Sequence, residues 1–179
     1  MAIGSTMHTF DVQLADTDRG VYEDYSLRAA RHPSETDAYM LTRVIAHALE
    51  HTEGIAFGGT VSSTEEPAVI ARDLTGRITA WIEVGSPDAE RLHYATRLAE
   101  RVAVYTHRDP IKVMAPWADA RIHRADEVRV YGFDPGFIES AVPHLDRRNE
   151  LSLTVTERTL YLTLNGTMLS TAVHEHELG

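Results

Sequence analysis

Ala68-Val69-Ile70-Ala71-Arg72 and Arg77-Ile78-Thr79-Ala80-Trp81-Ile82-Glu83-Val84, joined by Asp73-Leu74-Thr75-Gly76, decide how this chain folds. Each flank is an apolar run of strand composition and Thr75-Gly76 is turn chemistry, so the stretch reads as a β-hairpin. A two-residue turn pairs Leu74 with Arg77. Carried along the hairpin, that register sets Glu83 opposite Ala68 and Asp73 opposite Ile78. Side chains alternate between faces, so Asp73 points away from Glu83. Glu66 lies diagonally beside Glu83 on the same face, roughly 7–8 Å away by sheet geometry. Glu83 is a carboxylate inside an apolar run, where burial without a partner is expensive. Two explanations fit. Either an arginine neutralises it at the strand end, or it joins Glu66 and a helix-borne acid in an oxygen-lined magnesium site.

Elements alternate on both sides of this hairpin. Upstream, Thr9–Leu14 and Val21–Leu27 alternate apolar and polar residues around Asp16-Thr17-Asp18-Arg19-Gly20, an opening antiparallel pair. His32-Pro33-Ser34 stops the second strand. With Ser34 as N-cap, the helical spacing of Met40, Leu41, Val44, Ile45, Ala48 and Leu49 predicts a helix from Glu35 to Glu53, closing near Gly54. A polar stretch from Gly58 to Glu66 leads back to the hairpin.

Downstream, a helix opening at Pro87 or Asp88 runs through Arg101, and Val102–Thr106 has the apolar, β-branched character of a buried parallel strand. A weak helix at Ile111–Ala118, a strand at Val128–Phe133 and a short helix after Asp134-Pro135 follow. Leu151–Thr156 and Thr159–Leu164 form a terminal hairpin, and the tail from Val173 is expected to fray. This order predicts one α/β (α+β) domain over residues 1–179, built on a mixed β-sheet flanked by helices.

Composition narrows the function. The chain has 179 residues, 43% hydrophobic and 25% charged, which argues against wholesale disorder. No apolar run reaches the roughly 18–20 residues of a membrane span, and no N-terminal stretch reads as a signal peptide. No membrane partner and a cytoplasmic location are therefore expected. The chain has no cysteine, so disulfides, thiolate metal sites and cysteine nucleophiles are excluded. Its 17 basic and 27 acidic side chains give a net charge of −10, the opposite of the basic excess usual in nucleic-acid binders. Dinucleotide-binding, Walker, nucleophile-elbow and His-Glu-x-x-His motifs are missing. His47 and His51 stand at i, i+4 on the first helix, the spacing of a metal-binding pair, with no third ligand evident in the sequence. His174 and His176 read as solvated tail residues. Asn165-Gly166-Thr167 matches a glycosylation sequon, a coincidence in a cytoplasmic chain.

Arg31-His32-Pro33-Ser34-Glu35-Thr36 and the following Arg43-Val44-Ile45-Ala46 resemble the bacterial YaeQ family. So do Glu65-Glu66-Pro67, Trp81-Ile82-Glu83-Val84-Gly85 and the helix start at Pro87-Asp88. The resemblance covers essentially the whole chain and implies a variant of the PD-(D/E)xK restriction-endonuclease-like fold. In that fold a first-helix glutamate and two hairpin acids bind magnesium, with a lysine two positions beyond the second acid. Glu35 matches the first-helix glutamate and Glu83 the second hairpin acid. Ala68 stands where the first hairpin acid belongs, leaving neighbouring Glu66 to substitute. Gly85 stands at the lysine position, and Arg91 or His93 is the nearest stand-in.

The resemblance thus implies Glu35, Glu66 and Glu83 as catalytic residues and magnesium ligands. Arg28, Arg31, Arg43 and Arg72 are the arginines that a nucleic-acid phosphate would meet. The two departures favour a nuclease-fold protein whose catalytic site is remodelled or lost, serving as a binding or regulatory protein. The alternative is magnesium-dependent phosphodiester hydrolysis of DNA or RNA.

Overall fold

The alternation of Phe10, Val12 and Leu14 extends into an eleven-residue strand, β1 (Thr6–Asp16), paired antiparallel along its whole length with β2 (Val21–Arg31). The computed structural model describes residues 4–59 and 66–178. After β2 come α1 (Asp37–Leu49), β3 (Ile55–Phe57), β4 (Val69–Arg72), β5 (Ile78–Val84), α2 (Ala89–Leu98) and β6 (Arg101–Tyr105). Then follow α3 (Pro110–Met114), β7 (Arg129–Phe133), α4 (Phe137–Ala141), β8 (Arg148–Thr156), β9 (Thr159–Leu164) and β10 (Thr167–Glu177). The ten strands make one mixed sheet, ordered β2-β1-β8-β9-β10-β7-β6-β5-β4-β3, that curls nearly into a barrel. β1 and β8 run parallel, as do β5, β6 and β7 with one another; the other neighbours are antiparallel. Among the described residues no helix is long and apolar enough to cross a membrane.

Two cores follow from the period of two along β5. Ile82 and Val84 join Met40, Leu41, Val44 and Ile45 of α1 in the larger core. Trp81, on the other face, meets Leu92 and Ala95 of α2 in the smaller one. α1 is buried continuously from Met40 to Ala48 and touches β2, β3, β4, β5, β6 and α4. A helix covered on all sides fills the hollow of the curled sheet.

Four expectations change. The N-cap of α1 is Thr36, whose Oγ1 accepts from the Tyr39 backbone N–H at 3.0 Å, while Ser34 Oγ is engaged by His32 Nδ1 at 2.7 Å. Glu35 therefore precedes the helix instead of sitting in its first turn. Second, part of the region after α1 is ordered as β3, packed edgewise on β4. Residues 60–65 of the polar stretch, with Glu65, lie outside the described residues.

Third, the hairpin turn is one residue longer than expected. Asp73 N–H donates to the Arg77 carbonyl at 3.0 Å, and Arg72 pairs with Ile78. The Asp73 carboxylate sets this loop by accepting from the backbone N–H groups of Thr75 (2.9 Å) and Arg77 (3.0 Å), an Asx-type turn that competes with a tight two-residue one. A bulge at Thr79 then cancels the slip. Ala71 pairs with Ala80 and Val69 with Ile82, the register expected beside Glu83. Fourth, the tail does not fray. Asn165 (φ 49°) and Gly166 (φ 88°) form a tight hairpin turn, and β10 pairs with β9 and then with β7.

Candidate functional site

Glu83 shares a strand face with Trp81 because one residue separates them, and that face looks onto α2. Its Oε1 accepts from Trp81 Nε1 at 2.7 Å and from Arg91 Nε at 2.5 Å, and the residue is 6% exposed. Asp88 fixes the donor in place: as N-cap of α2 it accepts from the Arg91 backbone N–H at 2.8 Å, so the cap holds Arg91 in the first turn. Arg91 Nη2 also donates to the Glu66 carbonyl at 2.8 Å, and its guanidinium lies 5.8 Å from the Trp81 ring centre. Burial pushes the Glu83 carboxyl up from its ordinary range, against the pull of the Arg91 charge and the Trp81 hydrogen bond.

Glu83 opens onto a cleft of about 460 Å³ that also receives Glu35, Tyr39, Arg91, His107 and Arg108. Glu35, 4% exposed, enters from the segment just before α1, and Tyr39 from its first turn. The Tyr39 hydroxyl is pushed up to about 12, first by burial. His107 Nδ1 lies 3.3 Å from Glu139.

Of the three acids singled out in the sequence, the structure brings Glu35 and Glu83 to one cleft. The Glu66 carboxylate is not in its lining; Glu66 Oε1 lies 3.6 Å from Arg72 Nη2, and it is the Glu66 carbonyl that reaches Arg91. Among the described residues no group of three or more His, Asp and Glu side chains is arranged to hold a metal ion. Oε1 of Glu83 is already occupied by two N–H donors.

The four arginines also separate. Arg43 is 4% exposed and spends its guanidinium on the carbonyls of Ala68 (3.0 Å) and Gly58 (3.2 Å), above the Phe57 ring. It is a structural clamp, removed from any phosphate-binding face. Arg31 donates to the Glu35 carbonyl and pairs with Asp37 at 3.3 Å, Arg72 faces Glu66, and Arg28 is exposed on β2. Tyr39, His107 and Arg108 were not legible as cleft residues. Tyr39 lies four positions from Glu35 and so was within reach of a helical-spacing argument; the other two come from the β6–α3 loop, for which spacing gives no signal.

Comparison with known proteins agrees with the motifs. A family model described as YaeQ protein matches residues 1–173. The chain is 28% identical over 164 residues to a Salmonella typhi protein named Uncharacterized protein YaeQ, covering 91% of each. It is 36% identical over 107 residues to its Escherichia coli K12 namesake, covering 60% of this chain and 59% of that one. Two solved structures share the fold. The YaeQ protein of Pseudomonas syringae superposes with a TM-score of 0.85 at 30% identity over 96% of this chain and 95% of that one. That of Xanthomonas axonopodis pv. citri gives 0.88 at 26% identity over 98% and 99%. The fold is therefore shared with both solved structures, the family model spans nearly the whole chain, and this chain belongs to the YaeQ family.

Proposed function

We propose that the chain is a variant of the PD-(D/E)xK nuclease-like fold whose former metal site has become a binding cleft, and that it acts as a binding or regulatory protein. One observation carries this reading: Glu83, the acid that matches the nuclease pattern, is neutralised by Arg91. A buried carboxylate needs a compensating positive charge. In a nuclease of this type the metal supplies it, and here α2 does. Glu66 is turned away as well, since its exposed carboxylate faces Arg72.

Nucleic acid is the first partner class to test, because Arg28, Arg31 and Arg72 lie outside the core and Arg108 opens into the cleft. Such binding weakens steeply with salt, since it rests on phosphate contacts. The deciding experiment titrates magnesium, then manganese, into the wild type and Glu83→Ala by calorimetry, with DNA and RNA cleavage assayed in parallel. No metal-dependent heat and no cleavage are expected from either protein. Magnesium-dependent cleavage lost in Glu83→Ala would replace this reading with the alternative, a nuclease in which Arg91 stands for the missing lysine.

A further inference from the structure

We propose that Tyr25, His47 and His51 form a site for one borderline divalent cation of the zinc or copper kind, in the seam between β2, β3 and α1. His47 lies in the last turn of α1 and His51 two residues past its end, and their ring centres are 5.9 Å apart. Two imidazoles that hold one zinc at about 2.0–2.1 Å from each nitrogen have ring centres roughly 5–6 Å apart. The sequence supplies that pair and no third ligand. The fold supplies it from β2: the Tyr25 ring centre lies 5.5 Å from that of His47 and 4.8 Å from that of His51. Three side chains with ligand atoms thus close a triangle that no stretch of sequence contains.

The second observation is independent of spacing. His47 is 3% exposed, and its Nδ1 is a buried atom with no hydrogen-bond partner among the described residues; the same holds for the Tyr25 hydroxyl. Buried polar atoms left without a partner are rare, and two of them belong to residues of this one triangle. The Phe57 ring, 5.2 Å from His47, walls the cluster on the β3 side. Two charges act on His51: the Glu23 carboxylate, and Arg19, which is neutralised by Asp16 at 2.7 Å.

The donor set selects the ion. Two imidazole nitrogens and one phenol oxygen suit zinc or copper(II), whereas magnesium prefers an all-oxygen shell. Burial keeps His47 neutral, the form that ligates. Binding displaces the Tyr25 phenol proton to solvent, so uptake is accompanied by proton release. Tyr25 and His51 are only partly buried.

The test uses the full chain after chelator treatment, titrated with zinc chloride by calorimetry. One equivalent is expected to bind. His51→Ala should weaken it at least tenfold and Tyr25→Phe several-fold, while His174→Ala, on β10 and paired with Asp134, should leave it unchanged. Copper(II) loading should give a phenolate-to-copper charge-transfer band that Tyr25→Phe abolishes. His51 sits at the open end of α1 and Tyr25→Phe removes one atom, so both variants keep the fold, which far-UV circular dichroism verifies. The proposal is overturned if the wild type takes up no zinc, if His51→Ala binds as tightly as wild type, if His174→Ala removes binding, or if the copper band survives in Tyr25→Phe.

Discussion

Arg91 compensates the buried charge of Glu83. Removing it in Arg91→Ala leaves Glu83 buried against Trp81 with its charge unopposed, which should cost about 3–5 kcal/mol in urea denaturation. The sign with pH follows. Loss of Arg91 raises the Glu83 carboxyl further above its unfolded value, so the folded state takes up the proton first. Arg91→Ala should therefore regain stability as the pH falls through the raised value and lose it above, an outcome checked by urea midpoints at several pH values. His47 behaves in the opposite sense. Its imidazole is lowered from 6.5 to about 4, first by burial and then by the neighbouring His51 and Arg43. Between those values the unfolded chain binds a proton that the folded one refuses. Stability present above pH 6.5 is then lost as the pH drops toward 4, by up to roughly 3 kcal/mol. His47→Phe should flatten that slope and move acid unfolding, measured in chelator, to lower pH.

At the scale of elements, α1 was legible in its apolar spacing but in neither its first residue nor its last, which is Leu49 instead of Glu53. Ser34 and Thr36 are both good caps, and the choice was made by His32, which holds the Ser34 hydroxyl. Thr36→Ala should cost about 1 kcal/mol in thermal or urea unfolding, whereas Ser34→Ala should stay within about 0.5 kcal/mol. The hairpin carries a similar lesson. Its register beside Glu83 matched the expectation although the turn did not, because the longer Asp73 loop and the Thr79 bulge shift the pairing in compensating directions. Deleting Thr79 alone should join the Arg72–Ile78 and Ala71–Ala80 pairs into one regular ladder and leave Glu83 on the α2 face. The expected readout is unchanged Trp81 fluorescence and retained cooperative unfolding. β3 was missed because three residues paired at a sheet edge leave too short a pattern to recognise.

For the whole molecule, β10 matters most. It is the strand through which the β1-β2-β8-β9 part of the sheet is hydrogen-bonded to β3 through β7. Truncation after Ala172 removes the β7 pairing of Val173–Glu177 and should abolish cooperative thermal unfolding, an effect that a frayed tail would not produce. Asn165-Gly166 held the clue, since that dipeptide is a hairpin signal as well as part of a sequon. The sequence by itself determined the order of strands and helices from β1 to β9 apart from β3, the parallel character of β6, and the face shared by Trp81 and Glu83. All of these are set by local periodicity or by short runs of adjacent residues. Tertiary structure alone decided that Arg91, among sixteen arginines, neutralises Glu83, that Glu66 turns to Arg72, that Arg43 is an internal clamp, and that Tyr25 meets His47 and His51. The physical reason is that periodicity tells which face of an element is buried, while the identity of the partner on that face depends on how distant elements are brought together by the curl of the sheet around α1.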